Sequence, residues 1–492
     1  MKNILKGSIA LLILLTIGCS QEYLDPVPKT SLSDLSVFDT KARVEAQVNG
    51  MYAVMKSGAF LGGRFFVYND VRCENFIPKS SNLVTNFATW NHSVVASTNE
   101  VQNLWGQIYA SINAINVFLE GLEDAKTTGK LDKINVSQAE YDQYKSEAYT
   151  LRAICYFDLL QMYSKPYRDG SGSNQGVPLR LKAMKSAAEN DMAPASVADV
   201  YTQILKDLND AEPLAITTYG ATADLLNTTR VHKNTIIAFK SRVLLHMQNY
   251  SGVVTETAKI VNASAPFTSP GGVPHTLSAT YASIFASPYT AKESIFSMPF
   301  TTTNTPGTQN GLPHYYNPAS SESYYLVVAA GSTYSKIDAT DARRTMMVTS
   351  GGNTFLGKYP DFTTLTNYAP VIRYAEILLN RAEALVRAGG SVTQGAVDLL
   401  NAVRTRSFPA GAYTLASFAT PQAFYDAVLL ERDIEFLGEG MRNLDIMRLG
   451  LTIPAKNGGA MGSVPTVPPG SATYIWPVPA SEQAYNKLMP NN

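Results

Sequence analysis

The stretch ERDIEFLGEGMRNLDIMRLG at 431–450 sets five acidic side chains and three arginines among large apolar residues. Carboxylates in such number could serve acid–base chemistry; a glycosidase needs two that flank the scissile bond, at any spacing in sequence. The same composition also suits a buried ionic brace. On a helix Glu431 and Glu435 are i,i+4 neighbours of like charge, which is unfavourable unless cations lie close. Arg432, Arg442 and Arg448 are the cations at hand, and Asp445 with Arg448 is an i,i+3 pair of opposite sign. The interleaved Ile434, Phe436, Leu437, Leu444, Ile446 and Leu449 predict burial, where an unpaired charge is costly. The stretch therefore reads as a structural ion-pair network, and no residue is assigned a catalytic role.

Other chemistry is not signalled. The sequence lacks G-x-G-x-x-G, the P-loop pattern, G-x-S-x-G, H-E-x-x-H and an EF-hand loop. Its five histidines, His92, His232, His246, His275 and His314, are scattered without ligand spacing, so neither a metal nor a cofactor is expected. Forty basic and forty acidic residues leave no net charge and no polybasic tract, which excludes a phosphate backbone as the expected partner. Cys155 lies within LRAICYFDLL and reads as a buried free thiol.

The elements that must position these residues are mainly helical. In 145–163 Ala148, Leu151, Cys155, Leu159 and Met162 recur at steps of three and four, and Val371, Tyr374, Leu378, Ala382 and Leu385 repeat the spacing. Further helical patterns cover 104–125, 196–215 and 234–249. Gly389-Gly390 supplies a turn between two helices, and Ala396, Leu400 and Val403 fall where a tetratricopeptide repeat puts its packing positions. The period is irregular, so the expectation is a mainly α scaffold of tetratricopeptide-type hairpins over about 40–260 and 370–450, not a uniform solenoid.

Two zones depart from this pattern. Residues 265–370 are rich in Thr, Ser, Gly, Pro and Tyr with no sustained period, and 62–94 is a second loop-like stretch. Long irregular segments in a compact protein are usually functional. Sugar rings present apolar faces ringed by hydroxyls, so a binder needs aromatic plates together with amides, carboxylates or guanidinium groups. Tyr315-Tyr316-Asn317, Tyr324-Tyr325, Trp90-Asn91-His92 and Tyr68-Asn69-Asp70-Val71-Arg72 offer both. Trp90, Tyr315, Tyr316 and Tyr324 are the expected plates; Asp70, Arg72 and Asn91 are the expected partners for hydroxyls. Phe65, Phe66 and Phe87 are expected in the core.

The N-terminus reads as a signal peptide over 1–18, with a short basic start and an apolar run too short to span a bilayer. Leu15-Thr16-Ile17-Gly18-Cys19 resembles a lipobox with Thr16 where Leu is usual, which makes Cys19 the expected lipidation site and start of the mature chain.

Glu431, Arg432, Glu435, Phe436, Glu439, Gly440, Arg442, Asp445 and Arg448 together resemble the C-terminal signature of the SusD/RagB proteins. So do CSQEYLDPVPKT, FDTKARVEAQVNGMYAVM, LWGQIYASINAINVFLE, EAYTLRAICYFDLLQMYSKPY, VIRYAEILLNRAEAL and YIWPVPASEQAYN, in that order along the chain. The resemblance implies a non-enzymatic outer-membrane lipoprotein that binds an oligosaccharide and passes it to a SusC-like, TonB-dependent transporter. It also implies a ligand site drawn from the two loop zones. Two other readings are a secreted glycoside hydrolase or lyase using loop carboxylates such as Asp70 with Glu74 or Glu322, and a helical-repeat adaptor that binds only protein.

Overall fold

The computed structural model describes residues 37–490. The signal sequence and Cys19 lie outside the described residues. Helices α1 (Lys41–Met55), α2 (Arg64–Val71), α3 (Asn99–Thr127), α4 (Gln138–Tyr163), α5 (Val197–Ala211), α6 (Lys233–His246) and α7 (Tyr250–Thr257) form the first part of the scaffold. Helices α8 (Tyr374–Gly389), α9 (Gln394–Ser407), α10 (Pro421–Glu435), α11 (Met441–Leu449) and α12 (Ala480–Tyr485) follow the loop-rich segment.

Local sequence sets the starts of these helices. Ser137 Oγ accepts from Glu140 N at 3.3 Å while Glu140 reaches back to Ser137 N at 2.9 Å, a capping box that opens α4. Ser196, Thr393 and Thr420 cap α5, α9 and α10 in the same sense. Helix α8 ends at Gly389, and Gly390 takes a left-handed conformation at the turn into α9.

Packing follows the apolar stripes. Helix α4 is buried on nearly every side because α1, α3, α5 and α6 all pack on it. Helix α7 bridges α6 and α8, α8 packs on α9 and α10, and α11 lies against α2. Ala396, Leu400 and Val403 are fully buried between hairpin neighbours. The mainly α, tetratricopeptide-type scaffold expected from the periodicity is the fold observed. Cys73 and Cys155 are buried free thiols.

Short strands link the irregular segments to this frame. Strand β1 (Phe76–Pro78) pairs antiparallel with β3 (Tyr324–Leu326), and β2 (Ser294–Met298) pairs with β6 (Ala369–Arg373), which runs directly into α8. Strands β4 (Met347–Ser350) and β5 (Asn353–Leu356) form a hairpin whose β5 side packs against β3. No helix among the described residues is long and apolar enough to cross a membrane.

The acidic stretch is the brace that joins loops to helices. Glu435 accepts from Arg373 at 3.1 Å, Arg406 at 2.5 Å and Arg343 at 3.2 Å; Glu431 pairs with Arg343 at 2.5 Å and Arg404 at 2.9 Å. Glu439 pairs with Lys358 at 2.6 Å and Arg373 at 2.7 Å. Glu293 and Asp341 complete a set of five carboxylates against five cations, most of them almost fully buried. The ion-pair reading holds, but the source of the cations differs from expectation. Arg432 and Arg448 pair with Asp445, each at 2.7 Å, Arg448 also holds Glu383, and Arg442 holds Glu74 at 2.6 Å. The charges that neutralise Glu431 and Glu435 come from the loop-rich segment, strand β6 and α9, which no local spacing could indicate. Two glycines let the chain turn tightly between α10 and α11. Gly438 and Gly440 have φ of +83° and +73°, and a Cβ at Gly440 would lie 2.9 Å from Phe66 Cα, so the turn seats directly on α2.

Candidate functional site

The two irregular zones meet on one face. Besides the β1–β3 pairing, Arg64 donates to the Gln309 carbonyl from both Nε (3.3 Å) and Nη2 (3.2 Å), and Lys79 Nζ donates to the carbonyls of Pro318 (3.1 Å) and Ser320 (2.8 Å). Asn82 Nδ2 donates to Glu322, tying the tip of one loop to the other.

The rings expected to stack on ligand form the floor beneath this face. Trp90, Tyr315 and Tyr316 are 0% exposed and Tyr324 is 1% exposed. Trp90 donates from Nε1 to Phe76 O at 2.8 Å, and Tyr324 donates from its hydroxyl to Thr85 O at 2.9 Å. Tyr316 packs on Phe76 and Tyr359. Large rings with a single polar atom are well suited to this role, since one backbone carbonyl satisfies them. The polar candidates are also structural. Asp70 accepts from the Tyr316 hydroxyl at 2.6 Å and from Gly440 N at 3.0 Å. Arg72, 1% exposed, clamps the C-terminal segment through the Tyr474 carbonyl at 2.6 Å. Of the seven residues expected to touch ligand, only Asn91 reaches the surface, and its Oδ1 accepts from Ser93 N at 3.1 Å.

Partly exposed rings lie over buried ones. On β3 side chains alternate, so Tyr324 points inward and Tyr325 outward, where it packs edge-on to Phe355. Phe87, expected in the core, is partly exposed and stacks on Trp90 with centroids 5.6 Å apart. Phe362 stacks on His314 at 6.2 Å. Each exposed plate is thus backed by a buried ring. The period of two at Tyr324-Tyr325 is the signal that could have separated the outer tyrosine from the inner one. The stacking partners of Phe87 and Phe362 had no such signal.

Hydrogen-bonding groups gather on Glu322, which His314 links to Phe362. Glu322 accepts from His314 Nε2 at 2.9 Å and Gln309 Nε2 at 3.0 Å as well as from Asn82. Although desolvation opposes it, these donors hold the Glu322 carboxyl below its usual range, so it stays ionised. The two joined zones therefore offer a charged acceptor, planar amides and three supported rings.

The buried acids behave oppositely. Burial pushes both Asp70 and Glu100 up to about 7. The folded chain then holds more protons than the unfolded one between about pH 4 and pH 7. The stability they contribute is complete below that window and is lost as pH rises through it. Four histidines, held neutral by desolvation, titrate in the opposite sense, so the contribution of Asp70 is read as a difference: the urea midpoint of Asp70→Asn, taken relative to wild type, is expected to rise between pH 5 and pH 7.5.

Comparisons with known proteins agree with this architecture. A family model described as "SusD family" matches 280–492, and one described as "Starch-binding associating with outer membrane" matches 22–245. A SusD superfamily protein of Bacteroides fragilis superposes with a TM-score of 0.80 at 30% identity, covering 92% of this chain and 99% of that one. SusD-like protein P2 of Formosa agariphila is 24% identical over 99% of both chains. Surface glycan-binding protein A of Bacteroides thetaiotaomicron, solved with laminarihexaose, superposes at 0.69 with 18% identity over 90% of this chain and 97% of that one. The scaffold, the ionic brace that ends it and a relative aligned over almost its whole length lead to one assignment: the chain belongs to the SusD/RagB family.

Proposed function

We propose that the protein is a non-catalytic glycan-binding lipoprotein of the outer membrane, anchored through Cys19, that hands its ligand to a SusC-like, TonB-dependent transporter. The face joining residues 79–98 to 309–325 and 362 holds the glycan, with Phe87, Tyr325 and Phe362 against sugar faces and Asn82, Asn91, Gln309 and Glu322 toward hydroxyls. The observation that carries this reading is an ionised carboxylate, Glu322, held by amides and by the His314 ring on which Phe362 stacks, in two joined zones that also carry the backed, partly exposed rings of Phe87 and Tyr325. A protein of the same fold solved with laminarihexaose makes that oligosaccharide a rational first probe.

Hydrolysis finds less support at the loop carboxylates. Asp70 is buried against Tyr316, Glu74 is held by Arg442, and Glu322 is occupied by three donors. A general acid–base pair needs groups that reach the substrate and carry opposite protonation states.

The test is a glycan array on the soluble chain lacking residues 1–19, followed by calorimetry on Phe87→Ala/Phe362→Ala. Two plates at ~1–1.5 kcal/mol each predict weakening on the order of 100-fold with the thermal midpoint little changed. Undiminished affinity would show that the ligand lies elsewhere, and release of shorter saccharides would show an enzyme.

A further inference from the structure

A groove that shares no lining residue with the loop face, although Ala480 N beside it donates to the Ala96 carbonyl at 2.9 Å, is built from three segments distant in sequence. Helix α3 contributes Trp105, Tyr109 and Asn113 at steps of four, which places them on one side of the helix. The segment 178–192 contributes Arg180, Met184 and Asn190, and α12 contributes Ser481, Glu482 and Tyr485. The cavity they enclose is about 320 Å³, and a second of about 550 Å³ adjoins it, sharing Arg180 and Met184. Both lie in the size range of small-ligand sites.

Its polar groups are fixed in place. Trp105 Nε1 donates to Glu482 Oε2 at 3.2 Å, and Arg180 Nη2 donates to Glu482 Oε1 at 3.4 Å and to the Asn190 carbonyl at 2.6 Å. Asn113 accepts from Met184 N at 2.7 Å and donates to the Met184 carbonyl at 3.3 Å. The rings of Trp105 and Tyr109 lie 5.0 Å apart, centroid to centroid. Tyr485 stands at the rim 75% exposed, an unusual setting for so large a ring.

We propose that this groove is a second saccharide site, distinct from the loop face, that takes a short stretch of neutral glycan. Arg180 and Glu482 neutralise one another, so a charged ligand gains nothing from one without meeting the other. A purely apolar ligand would cover the Arg180, Asn190 and Glu482 edges without satisfying them. A neutral, hydroxylated ring matches both the aromatic wall and the fixed polar groups. The inference rests on the glycan-binding reading only for the choice of probes.

Two substitutions test the groove without touching its hydrogen bonds. Tyr485→Ala removes the exposed plate. Gly106→Leu fills the mouth from α3, where a Cβ meets nothing within 4 Å and the helix gains propensity. Laminarihexaose and maltohexaose are titrated by calorimetry into the wild type, each groove variant and Phe87→Ala/Phe362→Ala. The expected result is two sites in the wild type. One site should survive the loop-face substitutions, lose about tenfold affinity with Tyr485→Ala or Gly106→Leu, and perturb tryptophan emission through Trp105. Groove variants that titrate like the wild type would overturn the proposal, as would a wild type that binds neither probe. If groove variants abolish binding while the loop-face variant keeps full affinity, the groove stands and the loop-face assignment falls.

Discussion

Replacing Glu435 with Gln is expected to destabilise the fold by ~3–5 kcal/mol, the range for breaking a buried ion pair on one side. The carboxylate is 0% exposed and receives Arg343, Arg373 and Arg406, from the loop-rich segment, strand β6 and helix α9. Its removal leaves three buried guanidinium groups short of one counter-charge. Those arginines hold the Glu435 carboxyl well below the usual carboxylate range, although desolvation alone would raise it. The folded pKa is therefore the lower one, and the stability it confers is present above the ordinary carboxylate range and lost as pH falls below it. Urea denaturation at pH 7 should show the full deficit, and the difference between variant and wild type should narrow toward pH 3. A variant as stable as the wild type at neutral pH would mean that the brace contributes nothing to holding loops to helices.

Trp90→Ala is the second large effect, and it separates a floor residue from a ligand plate. The indole is fully buried, hydrogen-bonded to Phe76 O, stacked under Phe87 and covered by Lys456, whose Nζ lies 5.3 Å from the ring centroid. Truncating a buried Trp costs ~3–5 kcal/mol, and here it also removes the support for Phe87. Tyr325→Ala should do the reverse, losing about tenfold in glycan affinity with a stability change of ~1 kcal/mol or less. Thermal denaturation alongside calorimetry distinguishes them. Weaker binding by Trp90→Ala with an unshifted melting temperature would return that ring to the ligand.

The amino-acid sequence by itself determined the helical scaffold. Stripes such as Ala148, Leu151, Cys155, Leu159 and Met162 have one burial solution, and caps such as Ser137 mark where it begins. It also determined that 431–450 is a brace, because charge interleaved with Ile434, Phe436 and Leu444 is tolerable in a core only when paired. Only the tertiary structure decided which cations do the pairing. Arg343, Arg373, Arg404 and Arg406 lie between 27 and 92 residues from Glu431 and Glu435, which they neutralise. The same holds for the candidate site. Composition marked the two zones that share a face, yet an aromatic side chain serves equally as core filler and as ligand plate. Which of Tyr324 and Tyr325, or of Phe87 and Trp90, faces solvent depends on the β1–β3 register and on what packs beneath. The groove at Arg180 is a further case, since α3, the 178–192 segment and α12 become neighbours only through the packing of the whole chain.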